Sequence, residues 1–230
     1  MLFKSGITYL LYLSLPIFKT MYRQQPFQCY DIFDISSNPA LDFPFNLTFK
    51  PKKEFNGDFT GPGIYILSYK GNVIYIGKFD SLDKSDIRFV RWERHMETIT
   101  LRGRRVGFGK KKYSKISTLF NDEFKNSVSE KSLIFKDTGV VTSKKRIAFA
   151  MSNWKEFSQL NIDNLKSFTI DYFKFDTPEK KFEMVVNKIE KDIIPLINPP
   201  CNYQYKVSQE TMKFDDAIKL CNKYFQTHSI

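Results

Sequence analysis

Arg91 and His95 carry side chains that together can bind one phosphate group. Positions four apart lie on the same face of a helix, and residues 86–101 have helical spacing of apolar and basic positions. Two interpretations are open, a phosphate-binding pair and a solvated basic helix face. Between Arg88 and Lys115 there are ten basic residues against two acidic ones, with glycines interspersed. Such a segment is typical of a loop that contacts nucleic-acid phosphates and binds in a salt-dependent way.

Two tyrosines lie in neighbouring β-rich runs. The triplets Gly63-Ile64-Tyr65 and Tyr75-Ile76-Gly77 flank Lys70-Gly71-Asn72. A glycine-containing turn between two such runs predicts a β-hairpin. The hairpin would hold Tyr65 and Tyr75 on adjacent strands.

A carboxylate and an amide follow near the end of the chain. Alternation predicts a strand over 167–175, and Thr177 and Pro178 predict the N-cap and first position of a helix that runs to about residue 194. Glu190 lies in that helix, and Asn202 follows twelve residues later, past Pro199 and Pro200. One carboxylate with water ligands is a common way to hold Mg²⁺ beside a phosphate.

In this order the two triplets, the Arg91–His95 pair and the Glu190-to-Asn202 spacing resemble the GIY-YIG nuclease superfamily. Its members carry an arginine in the first helix, often with a histidine four residues on. Their last helix has a glutamate, an aliphatic pair three residues on, and an asparagine twelve residues past the glutamate. Arg88 competes with Arg91 for the family arginine, and Arg91 is preferred for its histidine partner. The stretch between His95 and the third strand is several tens of residues longer than in the minimal module.

The resemblance implies a Mg²⁺-dependent DNA endonuclease, with Mn²⁺ as the alternative ion. Glu190 would hold the metal, which polarises the phosphoryl oxygen and stabilises the leaving group. Arg91 would clamp non-bridging oxygens, where a water-poor site strengthens the contact.

The resemblance also implies roles for the other candidates. Tyr65 would be the general base or relay, and a phenol with an ordinary pKa of about 10 needs help from Arg91 or the metal to act at neutral pH. Tyr75 would hold the phosphate or the water, and His95 would share the proton transfer or bind phosphate. Asn202 would orient the site from behind. The expected DNA-contacting cations are Lys78, Arg88, Arg94, Arg102, Arg104, Arg105, Lys110, Lys111 and Lys112.

Three functions remain open. A single module with an insertion favours site-specific, restriction-type cleavage of double-stranded DNA, for which a homodimer on a palindromic site is expected. The alternatives are a nicking or homing nuclease of a phage or mobile element, and a DNA-binding protein of the same fold that does not cut. No sequence-reading motif is evident in residues 102–165, so the recognition sequence is not predicted.

Composition agrees with a nucleic-acid partner. The net charge is +11 and the isoelectric point about 9.4, which favours a polyanionic partner, either nucleic acid or an anionic membrane surface. The alternative is a proteome that is basic as a whole. The three cysteines form no C-x-x-C pair and there are only two histidines, so neither a structural zinc site nor a disulfide framework is expected. The expected location is the cytoplasm, in a bacterial or phage-encoded setting.

These elements predict an α+β fold, with a small three-stranded antiparallel sheet flanked by helices. The expected organisation is an N-terminal arm over residues 1–60, a nuclease domain over 61–205 with a long basic helical insertion at about 102–165, and a C-terminal segment, 206–230, with a helix over 215–225. Two short amphipathic pieces are expected in the insertion, around residues 116–124 and 146–157. Residues 7–18 are apolar but too few to span a bilayer and poorly suited to a signal peptide. They predict a packed or partner-facing appendage, or an upstream start with Met21 as the true initiator. No stable membrane association is expected.

Overall fold

The computed structural model describes residues 21–23, 26–55, 57–80, 85–103, 106–135, 142–175 and 187–228. Within these ranges the α+β prediction is confirmed. The strands are β1 (Met21–Arg23), β2 (Phe27–Gln28), β3 (Phe33–Ser37), β4 (Leu47–Pro51), β5 (Gly63–Tyr69), β6 (Asn72–Phe79), β7 (Phe108–Gly109), β8 (Ile134–Phe135) and β9 (Phe168–Phe175). The α-helices are α1 (Cys29–Ile32), α2 (Glu93–Thr100), α3 (Lys110–Ile116), α4 (Asp122–Ser127), α5 (Glu130–Leu133), α6 (Lys144–Ser152), α7 (Trp154–Phe157), α8 (Ile194–Ile197) and α9 (Phe214–His228).

The predicted hairpin is confirmed as β5 and β6. Tyr69 pairs with Asn72 across a two-residue turn. Its residues Lys70 and Gly71 have φ values of 49° and 73°. Positive φ at both central residues is what a type I′ turn requires, and this turn follows the natural twist of the strands.

A β-bulge in the hairpin changes the direction of side chains on β6. Leu67 pairs with Tyr75 and Ser68 with Val73, so Ile74 is an extra residue on β6. Bulges of this kind redirect side chains and are frequent beside active sites. Here the consecutive residues Ile74 and Tyr75 both pack on the same hydrophobic cluster.

The central sheet has the strand order β1–β9–β5–β6, and β2 also pairs with β9. All these pairings are antiparallel. The sheet is therefore larger than the three predicted strands, because β1 and β2 from the N-terminal segment pair with β9. Other described residues of that segment also contribute to the core, since Phe33, Phe49 and Phe59 are buried in the same cluster as Tyr65. Residues 7–18 lie outside the described residues.

Two hydrophobic clusters cover the two faces of the sheet. The larger one contains Tyr65 from β5, Trp92 and Ile147 of α6. The smaller one contains Ile64 and Ile66 of β5, with apolar residues of 187–197 and α9. The alternation of side chains along a strand explains this division, so β5 is buried on both faces.

The helix predicted over residues 86–101 is confirmed, but its first part is a π-helical turn, Arg88–Trp92, that leads into α2. Trp92 anchors this turn, with ring centroids 5.6 Å from Phe59, 6.0 Å from Tyr65 and 5.7 Å from Tyr172. π-helical turns are rare in proteins, and those that do occur are often at functional sites.

The predicted insertion contains α3 to α7 and the short parallel pair β7–β8. The amphipathic piece predicted around residues 116–124 contains the end of α3, a 3₁₀ turn and the start of α4. Asn121 interrupts this piece, because its side-chain oxygen accepts a hydrogen bond from the Phe124 backbone N–H at 2.8 Å and caps α4. The helical piece predicted over 146–157 is present as α6 and α7.

The last predicted elements are partly described. The strand over 167–175 is confirmed as β9, whereas Thr177 and Pro178 lie outside the described residues. Residues 187–192 are helical, and α8 follows directly. The terminal helix α9 is longer at both ends than the predicted 215–225. None of the described helices is both long and apolar enough to cross a membrane.

Candidate active site

Tyr65, Tyr75 and His95 form an aromatic group between the hairpin and α2. The Tyr65 hydroxyl lies 2.5 Å from His95 Nε2. The Tyr75 ring centroid is 4.6 Å from that of His95 and 6.1 Å from that of Tyr65. Tyr65 is only 2% exposed, while Tyr75 is half-buried. Tyr75 is therefore the tyrosine that solvent can reach, and Tyr65 lies behind it against His95.

The glycines of both triplets are needed for close packing. A Cβ added to Gly77 would collide with the Tyr65 phenol, and one added to Gly63 would lie 2.5 Å from the Phe173 carbonyl oxygen. Gly77 pairs directly with Tyr65 across the hairpin. Its missing side chain leaves the space in which the Tyr65 hydroxyl reaches His95.

Burial keeps both members of the Tyr65–His95 pair neutral. It raises the pKa of the Tyr65 phenol well above its ordinary value, and Tyr75 adds to the rise, while Arg146 and Arg91 oppose it. It lowers the pKa of the His95 imidazole well below its ordinary value, and nearby arginines lower it further. The predicted help from Arg91 thus acts in the expected direction, but burial outweighs it. Neutral His95 can accept a hydrogen bond from the Tyr65 hydroxyl.

Asn202 binds the edge of β6 that pairs with no other strand of the described sheet. Its Oδ1 accepts a hydrogen bond from the Ile76 N–H and its Nδ2 donates one to the Ile76 carbonyl, both at 2.8 Å. The neighbouring Cys201 N–H donates to the Ile74 carbonyl at 2.9 Å. The side-chain amide thus takes the place of a neighbouring strand beside Tyr75.

A cleft of about 610 Å³ opens at this edge of the sheet, and its lining includes Tyr75, Arg146, Glu190 and Asn202. Glu190 comes from the layer on the smaller cluster, whereas Tyr75 and Arg146 come from the side of the larger one. Three of the residues selected from the sequence, Tyr75, Glu190 and Asn202, therefore meet in one cleft.

Glu190 is the one carboxylate among the described residues that line the cleft. Glu190 is half-buried and makes no hydrogen bond or ion pair with the residues that the structure describes. The same part of the chain contains no group of three or more histidine, cysteine, aspartate or glutamate side chains that could hold a metal. Mg²⁺ commonly keeps several waters and takes only one or two carboxylates. Glu190 would be its protein ligand here.

Arg91 and Arg88 have different environments. Arg91 is 42% exposed in its side chain, and its Nη2 lies 3.9 Å from Asp80 Oδ1. Arg88 is 6% exposed and is bound by Asp86 at 2.7 Å. Its Nη1 donates to the Lys52 carbonyl at 2.9 Å. In place of the predicted phosphate contact, Arg88 holds the π-helical turn on the core.

Arg102 is likewise used inside the protein. It is 3% exposed, and its guanidinium donates to the carbonyls of Phe157 and Ser158 and to Asn46 Oδ1. It ties the insertion to the N-terminal segment instead of contacting solvent, which excludes the predicted DNA contact in this conformation.

The remaining predicted DNA contacts divide by exposure. Arg94, Lys110 and Lys111 are exposed, while Lys78 and Lys112 are half-buried. Arg104 and Arg105 lie outside the described residues. The exposed members, on α2 and at the start of α3, form the accessible part of the predicted basic surface.

Sequence reasoning missed the basic residues that line the cleft, Lys144, Lys145 and Arg146. They occupy the first turn of α6, directly after its N-cap Ser143. The positive end of the helix dipole disfavours cations there. Three consecutive cations at a helix start are a local violation of the kind that marks functional sites, and this was the available signal.

Comparison with protein-family models, curated proteins and solved structures gave no match for the chain.

Proposed function

We propose that the protein is a Mg²⁺-dependent endonuclease that hydrolyses phosphodiester bonds of double-stranded DNA at the β6 edge. The observation that carries this proposal is the cleft in which Tyr75, Glu190 and Asn202 meet. These residues were selected because their order and spacing resemble the GIY-YIG nucleases. Tyr75 is more than a hundred positions from Glu190 and Asn202 in the sequence, yet all three line one opening.

Charge supports a polyanionic substrate. The chain carries a net charge of +11, and the cleft is bordered by Lys144 and Lys145. Cations around a cleft attract a phosphate backbone and supply salt-dependent affinity. Arg94 and the start of α3 would extend this basic surface along the duplex.

The residues of the site have complementary roles in this proposal. Mg²⁺ held by Glu190 would polarise the phosphoryl oxygen and stabilise the departing 3′ oxygen. Tyr75 faces the cleft and would orient the water or the phosphate. The proton of the attacking water would pass to the Tyr65–His95 pair, whose short hydrogen bond lies behind Tyr75. A bound phosphate would offset the nearby arginines and so raise the proton affinity of His95.

Cleavage of a supercoiled plasmid in Mg²⁺ tests the proposal. The wild-type protein should convert the plasmid, and Glu190→Ala should abolish conversion because it removes the proposed metal ligand. The matched control is Glu123→Ala, an exposed carboxylate on α4, which should cleave normally. Cleavage by Glu190→Ala at the wild-type rate would refute the site.

The form of the product distinguishes the open functions. Discrete linear fragments support site-specific double-strand cleavage, a nicked circle supports a nicking enzyme, and a smear supports non-specific degradation. Retarded migration of a duplex without cleavage would instead support a DNA-binding protein that does not cut. Sequencing the product ends would identify the recognition site.

A further inference from the structure

Arg146 is the arginine that lines the cleft, and its geometry is well defined. Its Nη1 donates to Thr98 Oγ1 at 2.6 Å. Its guanidinium lies over the Tyr75 ring, 4.7 Å from the centroid. Both contacts tie the start of α6 to groups on α2 and β6. The guanidinium is thus positioned beside the tyrosine that faces the cleft.

The charge of Arg146 has no carboxylate partner. No aspartate or glutamate among the described residues forms an ion pair with it, and Glu190 lines the same cleft without doing so. A half-buried cation without an acidic partner is held at a cost, since part of its hydration is lost. The helix start adds to this cost. An anion in the cleft would relieve both penalties.

Two other described arginines near the site, Arg88 and Arg91, are less suited to meet that anion. Arg88 is buried and bound to Asp86. Arg91 is directed toward Asp80 and does not line the cleft. Arginine is favoured for phosphate binding because its planar fork of donors matches two phosphate oxygens.

We infer that Arg146 binds the scissile phosphate and is the catalytic arginine, in the role that sequence spacing assigned to Arg91. This inference rests on the proposed function and deepens it. As the bond from the water oxygen to phosphorus forms and the bond to the 3′ oxygen breaks, negative charge grows on the non-bridging oxygens. Arg146 donates hydrogen bonds to them. The water gives one proton to the Tyr65–His95 pair, and the 3′ oxygen leaves as a hydroxyl after taking a proton from solvent.

The electrostatic environment agrees with this position. Arg146 is among the groups that lower the pKa of His95 and oppose the rise in the pKa of Tyr65. Its charge therefore reaches both members of the proton-accepting pair. A phosphate bound by Arg146 would lie within reach of the same pair.

The test compares Arg146→Ala, Arg146→Lys and Arg91→Ala in single-turnover cleavage of a plasmid-derived duplex, with duplex affinity measured separately by fluorescence anisotropy in EDTA. Loss of one donor to transition-state charge typically costs about 10²–10³ in rate, so Arg146→Ala should slow cleavage by about that factor. Arg146→Lys should fold as the wild type does, because it keeps the positive charge. It should cleave at least about tenfold more slowly than the wild type, because lysine lacks the planar fork of donors. The cleavage rate should fall less in Arg91→Ala than in Arg146→Ala.

Lys166→Ala is the control for a lost positive charge, since Lys166 is exposed and lies over the ring of Tyr30. Tyr30 follows β2, which pairs with β9 at the edge of the sheet away from β6. It should cleave and bind as the wild type does. If the wild type cleaves and both Arg146 variants cleave within about threefold of it, the inference fails while the proposed function stands.

Absence of cleavage by the wild type would refute the proposed function and leave the role of Arg146 in phosphate binding to be tested separately. In that case, the duplex affinity measured by fluorescence anisotropy tests whether Arg146 contacts a phosphate. About tenfold weaker duplex binding by Arg146→Lys or Arg146→Ala than by Lys166→Ala would support that contact. Equal binding by all three would overturn it.

Discussion

Replacing Asn202 by alanine would remove the amide that holds the β6 edge. The side chain is 8% exposed, and its two 2.8 Å hydrogen bonds both go to Ile76. A buried backbone group that loses its partner costs about 1–3 kcal/mol. Because water can reach an edge strand once the side chain is gone, we take the lower part of that range for each group. The expected loss is about 2–4 kcal/mol in the free energy of unfolding.

Urea unfolding measures this loss. With a denaturant slope of about 2–3 kcal/mol/M, Asn202→Ala should lower the urea midpoint by about 1 M without changing the slope. Asn164→Ala is the matched control, because Asn164 accepts one exposed hydrogen bond from the Asn161 N–H. Its expected change is within about 0.5 kcal/mol. An equally small change for Asn202→Ala would refute the argument that this amide substitutes for a neighbouring strand.

Three further predictions concern other parts of the site. Gly77→Ala should slow cleavage by at least about tenfold, because the added Cβ collides with Tyr65 and displaces its hydroxyl from His95. The control is Gly109→Ala, which should cleave normally because a Cβ at Gly109 meets nothing within 4 Å. The free energy of unfolding should fall as the pH drops below about 6.5, since His95 in the unfolded chain takes up a proton that the buried imidazole resists. This fall should be smaller in His95→Gln. A pH profile of stability identical to that of the wild type would contradict the assignment of the effect to His95. Replacing Lys110–Lys112 by alanine should reduce the slope of log affinity against log salt by up to about 3, and an unchanged slope would remove α3 from the DNA surface.

The local features of the fold were readable from the sequence. The hairpin follows from two β-rich runs around Lys70-Gly71, and this information lies within neighbouring residues. The helix at 86–101 was likewise predicted from periodicity, although its π-helical first turn was not. That turn depends on how Trp92 packs against distant aromatic rings, and spacing within one segment does not contain this.

The roles of individual cations were harder to predict. Composition identified a basic segment, but it does not say which guanidinium meets a protein partner. Arg88 is bound by Asp86 and by a carbonyl from the N-terminal segment, and Arg102 by carbonyls at the end of α7. Arg146 was overlooked for the same reason, because its position beside Tyr75 depends on contacts between distant parts of the chain. Only its unusual place at a helix start was visible locally.

The division of the cleft between the two faces of the sheet has a consequence for cooperativity. Glu190 belongs to the layer packed on one hydrophobic cluster, and Arg146 to the layer packed on the other. Proteins open in partly independent units, and these units can separate below the global unfolding transition. Loosening of either layer would part the carboxylate from the guanidinium while each keeps its own local contacts. Cleavage activity would then require both layers to be packed on the sheet. On heating, this activity would be lost at a lower temperature than the secondary structure.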